Sequence, residues 1–160
     1  MADALSLKTD PAFQERFWRV QRVAWVVFAL FVVAALAGLT GAGGPLSRAE
    51  VRTPEGLVDS PRVGRWSAAD EMRFELSGQN GLARVDLSDR FAAHFQVHDI
   101  QPAPDRTEAT DDGQALIFIA PDSARSTVVL HVTAENPGLA RFDVRLNGGA
   151  PVAVTSVILP

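Results

Sequence analysis

From Val23 to Ser47 the chain carries no charged side chain, and the run VAWVVFALFVVAALAGL inside that stretch is apolar throughout. A helix needs roughly 20 such residues to cross about 30 Å of hydrocarbon at about 1.5 Å per residue, so a transmembrane helix is predicted over residues 23–41. Beyond it the hydrophobic period changes. Met72-Arg73-Phe74-Glu75-Leu76 alternates apolar with charged, residues 82–87 do the same, and Phe95-Gln96-Val97-His98 continues the alternation. A period of two marks strands with one buried face. ALIFIA at 115–120 reads as a central strand buried on both sides, residues 128–132, 139–146 and 152–159 add three more, and residues 57–66 supply one or two. Gly78-Gln79-Asn80-Gly81, Asp111-Asp112-Gly113, Asn136-Pro137-Gly138 and Asn147-Gly148-Gly149 are turn signals between them. The expected fold is a single N-terminal transmembrane α-helix followed by an all-β domain, an immunoglobulin-like antiparallel β-sandwich of seven to nine strands. No helix of useful length is expected among the strands.

Four segments follow from the pattern: a tail with a juxtamembrane amphipathic stretch (1–22), the membrane helix (23–41), a neck (42–49) and the β-domain (50–160). Asp10-Pro11 reads as N-cap and first helical residue, since a carboxylate can accept orphan amide bonds and proline needs no amide there. Phe13, Phe17 and Val20 recur at helical spacing, while Arg16, Arg19 and Arg22 form a stripe three apart, with Trp18 and Trp25 at headgroup depth. These five arginines and tryptophans are the expected membrane-interface residues. Basic residues crowd the N-terminal flank, which places the N-terminus in the cytoplasm and the β-domain in the periplasm of a bacterial inner membrane. Ala35-Leu36-Ala37 also fits a signal cleavage site, but the long segment before the apolar run favours a retained anchor. Ala34 with Gly38, and Ala37 with Gly41, make two small-xxx-small pairs that would let this helix pack on itself or on a partner helix. Gly41-Ala42-Gly43-Gly44-Pro45 is expected to end the helix.

Composition narrows the chemistry. The absence of cysteine excludes disulfides, thiolate metal sites and cysteine nucleophiles. Of 15 Lys and Arg, four (Lys8, Arg16, Arg19, Arg22) precede the apolar run, and of 19 Asp and Glu, three (Asp3, Asp10, Glu15) do, leaving the distal part about 5 units negative. That balance argues against nucleic acid, or an anionic lipid surface, as its partner. His94 and His98 are four apart in a strand pattern, a separation of about 13 Å that one metal ion cannot span. Asp111-Asp112-Gly113 lacks the regular oxygen spacing of a calcium loop. The serines include no G-x-S-x-G and no S-x-x-K. Asp70-Glu71 and Asp111-Asp112 are neighbours that strand geometry points to opposite faces, so neither forms an acid/base couple. No cofactor, metal site or catalytic residue is expected. With methionine only at positions 1 and 72, a soft-ligand copper carrier is disfavoured as well. Trp66 and the run Phe91–Phe95 are candidates for the core, the alternative being a surface that meets the membrane or a partner.

The block FWRVQRVAW, the membrane run, and AGLTGAGGPLSRA resemble an uncharacterised family of small single-pass proteobacterial inner-membrane proteins with a C-terminal β-domain. The similarity extends through Asp89-Arg90-Phe91, Ile100-Gln101-Pro102-Ala103-Pro104 and the closing Val157–Pro160, and departs at Val58-Asp59-Ser60-Pro61. The family offers no active site to carry over, and its members look like companions of multi-pass membrane proteins. The function implied is a non-catalytic accessory or interaction protein, bound to the bilayer and to a membrane-protein partner or to itself. The alternative is a periplasmic ligand-binding or envelope-sensing module.

Overall fold

The computed structural model describes residues 11–38, 46–122 and 124–160, with side chains from Gln14 onward, and divides at Leu36/Ala37 into two compact units. The first is a single helix, α1 (Pro11–Leu36). It starts at the proline that the sequence marks as its first residue, while Asp10 lies outside the described residues. Gln14–Leu36 is long and apolar enough to cross a membrane, and no residue of its apolar window is buried. The helix ends at Leu36 instead of Gly41. Gly38 has φ 91°, a left-handed conformation that glycine adopts without steric cost and that commonly closes a helix. Val23–Leu36 alone rises only about 20 Å. The candidate span Gln14–Leu36 begins before the expected 23–41, and residues 39–41 lie outside the described residues.

The second unit contains, in chain order, β1 (Arg48–Thr53), β2 (Gly56–Pro61), β3 (Val63–Arg65), β4 (Ala69–Ser77), β5 (Leu82–Ser88), α2 (Asp89–His94), β6 (Phe95–Gln101), β7 (Arg106–Thr110), β8 (Gly113–Ile119), β9 (Arg125–Ala134), β10 (Gly138–Leu146) and β11 (Val152–Leu159). They form a β-sandwich of two sheets, ordered β1-β2-β4-β9-β6 and β3-β11-β10-β5-β8-β7. Eleven strands exceed the expected seven to nine. The extra ones are β1 and β7, both at sheet edges and both too polar (RAEVRT and RTEAT) to show the alternation of a half-buried strand.

Every pairing between strands is antiparallel except β3 with β11. Its origin lies in Pro61. The β2–β4 ladder stops at Asp59↔Arg73, and Pro61, which would next face Glu71, has no N–H to contribute. The chain leaves the first sheet there, and Val63 pairs with Val157 in the second. Arg48 takes over the missing donor: its Nη2 donates to the Glu71 carbonyl at 3.0 Å while its Nε donates to both Asp59 carboxylate oxygens. The buried Ser156 hydroxyl donates to the Pro61 carbonyl and secures the crossover from the other side.

Alternation sends Met72, Phe74 and Leu76, Val128, Leu130 and Val132, Val85 and Leu87, and Phe142, Val144 and Leu146 into one core. Phe91, Phe95 and Phe142 fill one part of it, with ring centroids 5.3 to 5.6 Å apart. Trp66, by contrast, is 51% exposed, its indole N–H donating to the Glu135 carbonyl at 2.9 Å. The six-residue α2 breaks the strand pattern expected around His94: continuing the period of two past Leu87 would turn Asp89 inward, and the helical turn after Ser88 buries Phe91 instead. ALIFIA is buried on both faces through Phe118, whereas Ile119 is 76% exposed.

Candidate functional site

Strand register builds an open groove of about 990 Å³ on the outward face of the second sheet. Arg145 faces Asp86, Asp86 faces Ala115, and Ala115 faces Glu108, giving one row across β10, β5, β8 and β7. Arg84, Ile117 and Arg106 form the next. The apolar floor, Ala115 and Ile117, is buried under ionic side chains. Arg84 holds Asp86 at 2.7 Å and Glu108 at 3.6 Å, and Arg106 holds Glu108 at 2.8 Å and Asp105 at 3.6 Å. The Asp86 carboxylate beside Arg84 keeps that guanidinium above its ordinary pKa. Such a net offers hydrogen-bonding edges and little free charge.

Two Asn-Gly turns close one end of the groove. Asn80 and Gly81 have φ 53° and 78°, Asn147 and Gly148 have 46° and 72°, the paired left-handed residues of a tight hairpin turn. Asn147 also accepts the Arg84 N–H at 2.9 Å and donates to the Ser77 carbonyl at 2.8 Å, which fixes the turn against β5 and β4. The Ser88 hydroxyl accepts the Asp143 N–H at the opposite end. Sequence reasoning did not single out these residues. Arg84, Asp86, Arg106 and Glu108 become neighbours only through non-local pairing; the Asn-Gly turns were the one legible signal.

On the first sheet Glu71 meets Arg73 at 2.8 Å and His131 at 3.7 Å. Its carboxyl lies below the ordinary value, chiefly through the Arg73 hydrogen bond. Asp70, on the other face of β4 as strand geometry requires, sits above the ordinary value of 3.8 because burial outweighs the Glu71 N–H it accepts and Arg48 at 3.8 Å. A carboxylic acid raised on folding lends stability that is complete below 3.8 and lost as pH rises through the folded value. Asp70→Asn keeps an acceptor for the Glu71 N–H and removes the charge. It is expected to raise the melting temperature at neutral pH, with the gain over the native chain shrinking towards zero below pH 3.8. A gain of equal size across that range would contradict the assignment to burial.

Among the described residues, no group of three His, Asp or Glu could hold a metal ion. His94 stands in the last turn of α2, not in the strand expected of it, while His98 on β6 bonds Thr133 at 2.8 Å. Asp111 and Asp112 occupy the β7–β8 turn, with the Asp112 carbonyl accepting the Asp89 N–H.

On α1 the Arg22 guanidinium lies 4.4 Å from the centre of the Trp18 ring, and Trp25 meets Phe28 edge-on at 6.0 Å. Arg19 pairs with Glu15 at 3.5 Å, both exposed. Arg16, Trp18, Arg19, Arg22 and Trp25 are thus all on the helix and all exposed. The helix-packing pairs fare differently. Ala34 is helical, but Ala37 and Gly38 fall in the turn beyond Leu36, so Ala34 and Gly38 do not form a helical stripe. Gly41, the partner of Ala37, lies outside the described residues.

Fold and site together define an all-β domain joined to a helix able to cross a membrane. No family model matches the chain, and no curated protein matches it. Among solved structures it is similar to the solution structure of CaCohA2 from Clostridium acetobutylicum, at 13% identity over 61% of this chain and 84% of that one, with a TM-score of 0.38. That degree of likeness carries no argument about function.

Proposed function

We propose that the chain is a non-catalytic accessory protein of a bacterial inner membrane, held by α1 with its N-terminus in the cytoplasm and its sandwich in the periplasm. The sandwich contacts a membrane-protein partner, in keeping with the companion role implied by the juxtamembrane resemblance. The observation that carries this reading is the groove. Arg84 and Arg106 hold Asp86 and Glu108 over an apolar floor, which suits recognition of a shaped polar surface better than acid/base or nucleophilic work. The retained anchor, the single crossing and the absence of a cofactor belong to the same proposal.

A photo-crosslinking residue at Arg145 in the groove, in native membranes, is expected to give a stoichiometric adduct with one multi-pass protein. The same residue at Thr127, exposed on the other sheet, should give none. Equal labelling from both positions would defeat the proposal. The groove's size also favours a second reading, a periplasmic ligand-binding or envelope-sensing module. In that case Arg145 gives no protein adduct, and glycan or peptide fragments of the envelope raise the melting temperature.

A further inference from the structure

The other half of the second sheet's outward face is built differently from the groove. Register places Leu139 opposite Val157 and Val157 opposite Val63, so three apolar side chains stand side by side across β10, β11 and β3. Leu139 is 49% exposed and Val157 41%, far more than a buried row would be. Arg141 lies two residues along β10 on one side of the row, and Arg65 two residues along β3 on the other; both share its face and both are exposed. Arg62 is exposed just before β3.

In the groove half Arg84 and Arg106 hold carboxylates, while Arg145 lines it without an ion pair among the described residues. Arg62, Arg65 and Arg141 have no ion-pair partner among the described residues. No outward position of β3 or β11 is acidic, and the first on β10 is Asp143. The domain's net negative charge, which argued against an anionic surface as partner, is therefore gathered elsewhere, including Asp86, Asp105, Glu108, Asp111 and Asp112 around the groove. A row of apolar side chains bracketed by unpaired arginines remains.

Ala37, the residue after the candidate span, accepts the Leu46 N–H at 3.1 Å. Ser47 then accepts the N–H groups of Arg62 at 2.7 Å and Val63 at 3.3 Å. Leu46 itself is 45% exposed. Leu46 thus stands beside the start of β3.

We propose that this face docks on the phospholipid headgroup layer at the end of α1. Leu139, Val157, Val63 and Leu46 enter the interfacial zone, and Arg62, Arg65 and Arg141 meet the lipid phosphates. The open edge of β3 is covered in the same contact. Attraction of the arginines to phosphate and burial of the row act together.

The native chain has no cysteine, so single-cysteine spin labels report one position each. The full-length protein carrying V157C or the control T127C is reconstituted in vesicles of phosphatidylcholine alone or of phosphatidylcholine with phosphatidylglycerol. Accessibility to oxygen and to a water-soluble nickel chelate is then read. The expected result is a lipid-facing signal at Val157 that strengthens with phosphatidylglycerol, and a water-facing signal at Thr127 in both vesicles. Adding R65E and R141E should return Val157 to the water-facing reading, with circular dichroism confirming an unchanged fold. A water-facing signal at Val157 in both vesicles overturns the proposal. So does shielding from both reagents that grows with protein density, which would assign the face to a second copy of the chain. A lipid signal indifferent to phosphatidylglycerol and to the charge reversals overturns the role given to the arginines.

Discussion

Phe142→Ala is expected to destabilise the β-domain by about 3–5 kcal/mol, a large share of the roughly 5–15 kcal/mol that holds a domain of this kind together. Phe142 is 2% exposed and stands edge-on to both Phe91 and Phe95, which stack on each other. Truncation removes one ring from a three-ring cluster. The remaining two belong to α2 and the start of β6, which the Asp89 N–H to Asp112 and Glu135 N–H to His94 carbonyl bonds and the pairing of β6 with β9 hold in place. The cavity is therefore poorly placed to collapse. Urea unfolding followed by near-ultraviolet circular dichroism reads the loss as a lower midpoint. Leu139→Ala, on the exposed row, is expected to change stability by no more than about 0.5 kcal/mol. Similar midpoints for the two variants would mean that the aromatic cluster is not the centre of the core.

Leu30→Arg is expected to cost about 2.5–3.5 kcal/mol of membrane insertion and to shift the chain out of the carbonate-resistant membrane fraction. Leu30 lies well inside the apolar run, and its side chain is 64% exposed in the protein alone. An arginine at such a site would be harmless on a helix that faces water. It is costly on one that faces hydrocarbon, and the helix already brings Arg19 and Arg22 close to the apolar segment. Leu30→Ile should remain fully membrane-bound. If Leu30→Arg fractionates as the native chain does, α1 is not held by lipid at that depth.

The core strands were legible because a half-buried strand writes its burial into every second residue. Met72, Phe74 and Leu76 announce β4 without reference to any other part of the chain, and Asn147-Gly148 announces the turn after β10. The same local signal failed where burial is not local. β1 and β7 are edge strands whose side chains are mostly polar, so no alternation marks them. His94 was read as strand because Phe95 to His98 alternate, yet the chain turns into α2 before Phe95, where Phe91 alone is buried. Helix periodicity gave the start of α1 at Pro11 but not its end. An apolar run has no marker for the point at which Gly38 turns left-handed, and the small residues beyond Leu36 were read as a packing stripe.

The groove and the lipid-facing row were illegible for a further reason. Arg84, Asp86, Arg106 and Glu108 look like ordinary solvated charges on two separate strands, and Val63, Leu139 and Val157 are apolar residues in three segments spread across the domain. Only register makes them neighbours. Net charge was similarly misleading, since a sum over the domain hides the separation of its carboxylates from Arg62, Arg65 and Arg141.

By itself the sequence determined that one helix can cross a membrane, that the rest folds as a β-sandwich, and that alternating residues such as Met72, Phe74 and Leu76 enter its core. These properties depend on hydrophobicity and on periods of 3.6 and 2, which the chain carries locally. The tertiary structure alone decided the sheet order, the crossover at Pro61, the exposure of Trp66, and the division of one sheet face into an ion-paired groove and an arginine-flanked apolar row. Each of these depends on hydrogen-bonded pairing between residues far apart in the chain, which no local pattern encodes.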